Sequence, residues 1–187
     1  MQDNSLGKRL LLTGGAGFIG KHLCRQLESA GYNITIYDNF STSSRNAFQS
    51  EFGDKIKVIE NDIIDSHAFS SALVDNNIEI IIHLAAQVSV QESMRNPEFN
   101  NKINVLGTQN VIDAGLKHKI EKLIFSSSAA VYGTLEPPLK EDVVNHKQKN
   151  YEEALLSPYA VSKFEGEKLI LNSGLNYTIF RIFNIYG

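Results

Sequence analysis

The sequence predicts a doubly wound α/β fold on a parallel sheet, and three observations predict it. Six short apolar runs recur at wide intervals, at residues 9–12, 34–37, 56–59, 79–84, 122–125 and 178–182. They are continuous rather than alternating, which suits strands buried on both faces of a parallel sheet. Segments with helical spacing lie between them, and such alternation implies right-handed crossovers with helices on both faces. A glycine-rich turn directly follows the first run.

Taken in order, the first run leads through that turn into a helix, where Phe18, Ile19, His22, Leu23, Gln26 and Leu27 share a face and Gly31 provides a C-cap. The second run ends at Tyr37-Asp38, and the third is followed by Asp62-Ile63. After the fourth, a stretch over residues 97–117 carries Phe99, Ile103, Leu106, Asn110 and Ala114 at helical intervals. The fifth run is followed directly by Ser126-Ser127-Ser128. Residues 134–156, with Pro137-Pro138 and many charges, are irregular and read as a solvated connection; a loop this long is functional or mobile, and it should border any site at the carboxyl ends of the strands. A last helix over residues 157–173 carries Ala160, Phe164, Glu167 and Leu171, with Pro158 in its first turn. The sixth run closes the pattern, which shows no internal repeat.

Composition narrows the function. With 42% hydrophobic and 21% charged residues the 187-residue chain is ordinary globular material of about one domain, and its net charge of -3 gives no electrostatic reason to expect nucleic acid. The lone Cys24 excludes a disulfide framework and is expected to be a small buried hydrophobe. No run approaches a membrane span of about 18 apolar residues, and the polar start lacks a secretory pattern, so a cytoplasmic protein is expected. The histidines at 22, 67, 83, 118 and 146 show no metal-ligand spacing, and His83 is expected to pack or hydrogen-bond.

The turn reads Thr13-Gly14-Gly15-Ala16-Gly17-Phe18-Ile19-Gly20. Glycines at 14, 17 and 20 fit the dinucleotide fingerprint: a tight turn, close backbone approach to a pyrophosphate, and close helix–strand packing. Amides at the helix N-terminus then meet the phosphate charge. Asp38, 18 residues past Gly20, can accept from the adenosine ribose hydroxyls and would repel a 2′-phosphate, which favours NAD over NADP. Arg45 is the counter-signal, read here as a solvated loop charge. Tyr159 and Lys163 stand four apart, on one helical face. That spacing arises readily by chance, but the serine run places both features at the carboxyl edge of the sheet, where a nicotinamide should sit.

Thr13 to Gly20, Asp38-Asn39, Asp62-Ile63, His83-Leu84-Ala85-Ala86, Asn104, Ser126-Ser127-Ser128, Tyr132-Gly133, Tyr159-Ala160-Val161-Ser162-Lys163 and Arg181-Ile182-Phe183-Asn184 occur in that order. In this the chain resembles the extended short-chain dehydrogenase/reductases, with a Rossmann-type domain, and is most similar to UDP-glucose 4-epimerases and related nucleotide-sugar epimerases. The resemblance implies a transient hydride transfer to NAD and a 4-keto sugar. Tyr159 would be the acid/base, Lys163 its activator, and Ser128 the hydroxyl on the reacting sugar oxygen. Asp38 and Asn39 would hold the adenosine ribose, and Asp62 and Ile63 the adenine. Leu84, Ala85 and Ala86 would line the cofactor, with Ser126 and Asn104 in support, and Asn184 would reach the substrate diphosphate. Val88 stands where some 4-epimerases carry lysine. Ala129 and Ala130 stand where nucleotide-sugar dehydratases carry an Asp-Glu pair, which favours epimerisation or simple redox over elimination. The alternatives are a dehydratase or reductase of the same superfamily, or a non-catalytic NAD-binding sensor, against which Ser128, Tyr159 and Lys163 stand together. A homodimer through an intersubunit four-helix bundle, built from residues 97–117 and 158–171, is implied as well. Relatives continue with a smaller domain that closes over the sugar nucleotide. The 187 residues are therefore expected to be the NAD-binding portion of a longer enzyme, with little or no epimerase activity alone.

Overall fold

In the computed structural model, which describes residues 7–148 and 150–186, six parallel strands form one sheet in the order β3-β2-β1-β4-β5-β6. Residues 1–6 of the polar start, and Gly187 after Tyr186, lie outside the described residues. The strands are β1 (Arg9–Thr13), β2 (Asn33–Asp38), β3 (Lys57–Glu60), β4 (Ile80–His83), β5 (Lys122–Ser128) and β6 (Tyr177–Ile182). The chain starts in the middle of the sheet, winds outward to β3, and crosses back to β4. That reversal between β1 and β4 is the switch point where α/β sheets bind ligands.

The apolar runs alternate strictly between two cores. Leu10, Leu12 and Ile36 pack on one face with Cys24 of α1 (Phe18–Ser29) and with Phe48 and Phe52 of α2 (Arg45–Phe52). Leu11, Ile81, Leu123 and Phe125 pack on the other. There they meet α3 (Ser66–Asp75), α6 (Gly107–Lys117) and α7 (Pro158–Leu171) through Phe69, Leu73, Val111 and Ile170. Continuous apolar runs are what two covered faces demand. Helix α1 ends as its sequence indicates. Gly31 takes φ 83°, the Tyr32 amide bonds the Leu27 carbonyl at 3.0 Å, and the Gly31 amide bonds that of Glu28 at 3.0 Å. Those two bonds close the terminal carbonyls in a Schellman turn.

Four features differ from the sequence reading. Helices α2 and α3 lie where no helix is predicted, although Ser44 and Asp65 cap them through the amides of Ala47 and Ala68. The stretch over 97–117 is not one helix. It follows the short α4 (Val90–Arg95) as α5 (Pro97–Asn101), one π-helical turn over Lys102–Leu106, and then α6. The serine run does not follow β5 but finishes it, because serine tolerates the pleat although it carries no apolar signal. Finally, residues 134–156 are not simply solvated: Val144 and Tyr151 are buried against Val131, Tyr132 and Phe164 in a third cluster.

No helix among the described residues is long and apolar enough to cross a membrane.

Candidate active site

A cleft of about 1050 Å³ opens along the carboxyl ends of β1, β2, β4, β5 and β6. Its walls include Gly14, Gly17, Phe18, Ile19, Gly20, Asp38, Asn39, Asp62, Ile63, Leu84, Ala85, Ala86, Ser126, Ser128, Tyr159, Lys163 and Asn184. The cleft thus gathers every residue assigned to cofactor or substrate except Asn104, which is buried behind the wall. The volume lies at the top of the range for small-ligand pockets, as an extended ligand needs.

The glycine turn is built for close approach. Gly14 stands at φ +66°, and a Cβ on it would come within 2.7 Å of the Ala85 amide. A Cβ on Gly20 would collide with the Gly15 carbonyl, so the glycine lets α1 rest directly on the loop. Helix α1 begins at Gly17 with no side-chain cap, which leaves its first-turn amides available to an anion. Asp38 holds this turn from the side. One carboxylate oxygen accepts from the Ala16 amide at 3.0 Å and the other from the Phe40 amide at 2.8 Å. At the far end of the cleft Asn39 Nδ2 donates to Asp62 Oδ2 at 2.8 Å, joining two loops into one wall. Arg45 is not free over this wall but pairs with Glu60. A glycine cradle at a helix start, an acidic residue at the second strand end and a long cleft fit a dinucleotide bound across the switch point.

At the other end stand Ser128, Tyr159 and Lys163. Serine is placed by β5 and the other two by α7. Burial pushes the Tyr159 phenol above its ordinary value, while the hydroxyl of Ser128 pulls the other way. Tyr159 therefore stands as a neutral phenol. Lys163 is fully enclosed; its ammonium donates to the Ser126 carbonyl at 2.8 Å and lies 5.0 Å from the Phe125 ring centroid, rather than on the phenol. Burial lowers its pKa to about 8, against a partial pull upward from the Glu167 carboxylate. The folded value lies below the ordinary 10.5, so the unfolded chain binds the extra proton between those limits. This group then opposes folding below about pH 8 and its penalty fades as pH rises. Lys163→Met is accordingly expected to melt at or above the parent temperature at pH 7 and to flatten the rise in stability between about pH 8 and 10. Thermal melts across that range check it, and a lower melting temperature at pH 7 counts against it.

Sequence reasoning missed the residues that hold Tyr159. Its amide donates to Ser93 Oγ at 3.2 Å and its carbonyl accepts from Ser162 Oγ at 2.8 Å. Asn104 Nδ2 donates to Ser162 Oγ and to the Gln87 carbonyl, both at 3.0 Å, and its Oδ1 accepts from the Gln87 amide at 2.8 Å. Its whole amide is thus spent on protein groups. Gln87, Ala129, Ala130 and Phe183 complete the wall near the phenol. Ser93 and Gln87 carried no local signal.

The model of the NAD dependent epimerase/dehydratase family matches residues 10–187. A UDP-glucose 4-epimerase of Bacillus subtilis is 33% identical over 95% of this chain and 53% of its own length. A UDP-N-acetyl-alpha-D-glucosaminuronate decarboxylase of Bacillus cytotoxicus is 37% identical over 96% of this chain and 55% of its own. Among solved structures, a UDP-glucose 4-epimerase from Brucella ovis in complex with NAD superposes with a TM-score of 0.81 at 32% identity, covering 95% of this chain and 52% of that one. The chain spans about half the length of the curated relatives it matches. With its Rossmann-type sheet, its glycine turn and a family match that runs from β1 to the last residue, this chain belongs to the NAD dependent epimerase/dehydratase family.

Proposed function

We propose that these residues form the NAD-binding half of a nucleotide-sugar 4-epimerase acting on UDP-glucose or UDP-N-acetylglucosamine. The observation that carries the reading is one cleft in which the glycine turn and Ser128, Tyr159 and Lys163 share a wall, with only the methyl groups of Ala129 and Ala130 following Ser128. Gly14, Gly17, Phe18, Ile19 and Gly20 would hold the pyrophosphate, Asp38 and Asn39 the ribose, and Asp62 and Ile63 the adenine. Leu84, Ala85, Ala86 and Ser126 would flank the nicotinamide end. When bound, NAD supplies a hydride acceptor that later returns the hydride. Tyr159 takes the proton from the sugar hydroxyl as the carbon gives up its hydride, and Ser128 hydrogen-bonds the same oxygen. Lys163 supplies a nearby positive charge that favours phenolate. Asn184 meets the substrate diphosphate.

The decarboxylase relative favours a second reading, another reaction of the same family. Ala129 and Ala130 weigh against it, because a methyl group transfers no proton.

The assay uses a polypeptide carrying these residues together with a substrate-closing half. UDP-glucose in D₂O should give UDP-galactose with no deuterium at C4, since the hydride leaves and returns without meeting solvent. Deuterium at C4, or carbon dioxide released from a uronic acid substrate, counts against epimerisation. The isolated 187 residues should bind NAD and turn over little or nothing. Phe180 on β6 and Phe183 just after it, 55% and 61% exposed, are apolar surface that a substrate-closing half would cover. NAD is expected to bind about tenfold or more tighter than NADP, because the Asp38 carboxylate would repel a 2′-phosphate and Arg45 is paired with Glu60; equal affinities by calorimetry would sink that expectation. Sedimentation tests the homodimer implied for residues 97–117 and 158–171, where Leu106, Leu116 and Leu171 stay exposed; a monomer at all concentrations would overturn it.

A further inference from the structure

A buried polar chain runs beneath the cleft and joins its two ends. Thr13, His83, Thr108, Asn104 and Ser162 are each at most 3% exposed. Thr13 Oγ1 accepts from the Leu84 amide at 3.2 Å and from the Ala85 amide at 3.1 Å, and lies 2.7 Å from His83 Nδ1. His83 Nε2 lies 3.0 Å from Thr108 Oγ1, which lies 2.6 Å from the Asn104 carbonyl oxygen. The Asn104 amide then donates to Ser162, and Ser162 to the Tyr159 carbonyl.

Hydrogen counting fixes every direction in this chain. A carbonyl cannot donate, so the Thr108 hydroxyl proton points at the Asn104 carbonyl, and His83 Nε2 must carry a hydrogen to fill the contact with Thr108. With its hydrogen on Nε2, the neutral ring accepts at Nδ1, so the Thr13 hydroxyl proton goes there. Thr13 Oγ1 takes the Ala85 amide hydrogen and shares that of Leu84 with the Thr13 carbonyl, which lies 3.1 Å from the Leu84 nitrogen. The neutral Nε2–H imidazole satisfies all five groups, whereas an imidazolium would take from the Thr13 hydroxyl hydrogen its acceptor, Nδ1. Burial agrees, lowering the His83 pKa to about 3, with the Lys163 charge pushing the same way.

The ends of the chain are functional surfaces. Gly14 packs so tightly on the Ala85 amide that a Cβ there would approach it to 2.7 Å, and Thr13 anchors that amide. The other end is the backbone of Tyr159. We propose that His83 is a positioning residue, the central link of a hydrogen-bonded chain that sets the cofactor strip and the tyrosine backbone in register. This rests on the reading of the cleft as an NAD site.

Thr108 tests it, since it sits on α6, lines no part of the cleft and can lose only its hydroxyl. Thr108→Val in the 187-residue chain should weaken NAD binding about tenfold, because the unlinked Ala85 strip must be ordered again when the cofactor binds. The ¹H–¹⁵N resonances of Ala85 and Tyr159 should move together. Thr108→Ser, which keeps the hydroxyl, should bind within about twofold of the parent and leave both resonances in place. Parental affinity in the valine variant, an unmoved Tyr159 resonance, or a serine variant as weak as valine would overturn the proposal. Long-range ¹⁵N spectra of the unmodified chain judge it even where the valine variant fails to fold. His83 should be the neutral Nε2–H tautomer at pH 6, and an imidazolium or Nδ1–H form there overturns the chain of bonds. A parent chain that binds no NAD, with His83 in the expected tautomer, would instead count against the cofactor reading alone.

Discussion

Tyr159→Phe, in a polypeptide that carries both halves of the site, should cut kcat by about a hundred- to ten-thousandfold, the range a positioned proton-transfer group supplies. The substitution keeps the ring that α7 places against the cleft and removes only the hydroxyl that faces Ser128. Binding should therefore change far less than turnover. In the 187-residue chain, NAD affinity should stay within about tenfold of the parent. Stability should fall by only about 1 kcal/mol, the net worth of the hydrogen bond to Ser128 that the ring alone cannot make. Single-turnover kinetics separate chemistry from binding and from product release. Turnover within tenfold of the parent would remove Tyr159 from the proton path and return the assignment to another group on the wall.

Glu167→Ala should cost about 3–5 kcal/mol, the scale of an uncompensated buried charge. Glu167 is fully buried, and its carboxylate takes four hydrogen bonds. Arg181 grips both oxygens, from Nε at 3.0 Å and from Nη2 at 2.9 Å, while His146 Nε2 lies 2.6 Å away and Ser127 donates from β5. Burial alone would raise its pKa. The bonds from His146, Arg181 and Ser127 outweigh it and hold the carboxyl below the ordinary value. Its stabilisation is thus complete above the usual 4.5 and is lost as pH falls through the lower folded value. The alanine variant should be nearly flat in that acid window. It should also loosen the connection over residues 134–156, because Arg181 Nη1 donates to the Glu141 carbonyl at 2.6 Å and His146 lies within it. Limited proteolysis reads that loosening and chemical denaturation reads the energy. Removing both charges, as Glu167→Met with Arg181→Met, should recover much of the loss, since desolvation is then avoided on both sides. A single variant within about 0.5 kcal/mol of the parent would show that the pair is worth no more than an exposed bridge.

Much of the site was legible because it is written locally. Gly14, Gly17, Gly20 and Asp38 form a contiguous strand–turn–helix–strand unit, so spacing alone brings them together at one sheet edge. Tyr159 and Lys163 share a helical face for the same reason. The unread parts depend on partners that are remote in the chain. The resemblance places Asn104 beside the cofactor, yet its amide is consumed by Gln87 and Ser162, 17 and 58 residues away. Lys163 stands one turn from Tyr159, but its ammonium reaches back to Ser126, 37 residues earlier. Helices α2 and α3 escaped notice because Phe48 and Phe52, or Phe69, Ala72 and Leu73, make an apolar stripe too short to stand out.

By itself the sequence determined the doubly wound sheet, the glycine turn and the order in which wall residues arrive. Each of these follows from burial period, backbone freedom and capping within a few residues of chain. Only the tertiary structure decided which polar groups meet. Three consecutive serines divide their work by the pleat of β5: Ser127 turns inward to Glu167 while Ser128 faces the phenol. Glu167 looks like one more residue on a helical face until Arg181 and His146 arrive from 14 and 21 residues away. Periodicity reports which side chains leave water. Which donor then finds which acceptor is fixed by crossovers that bring distant strands and helices side by side.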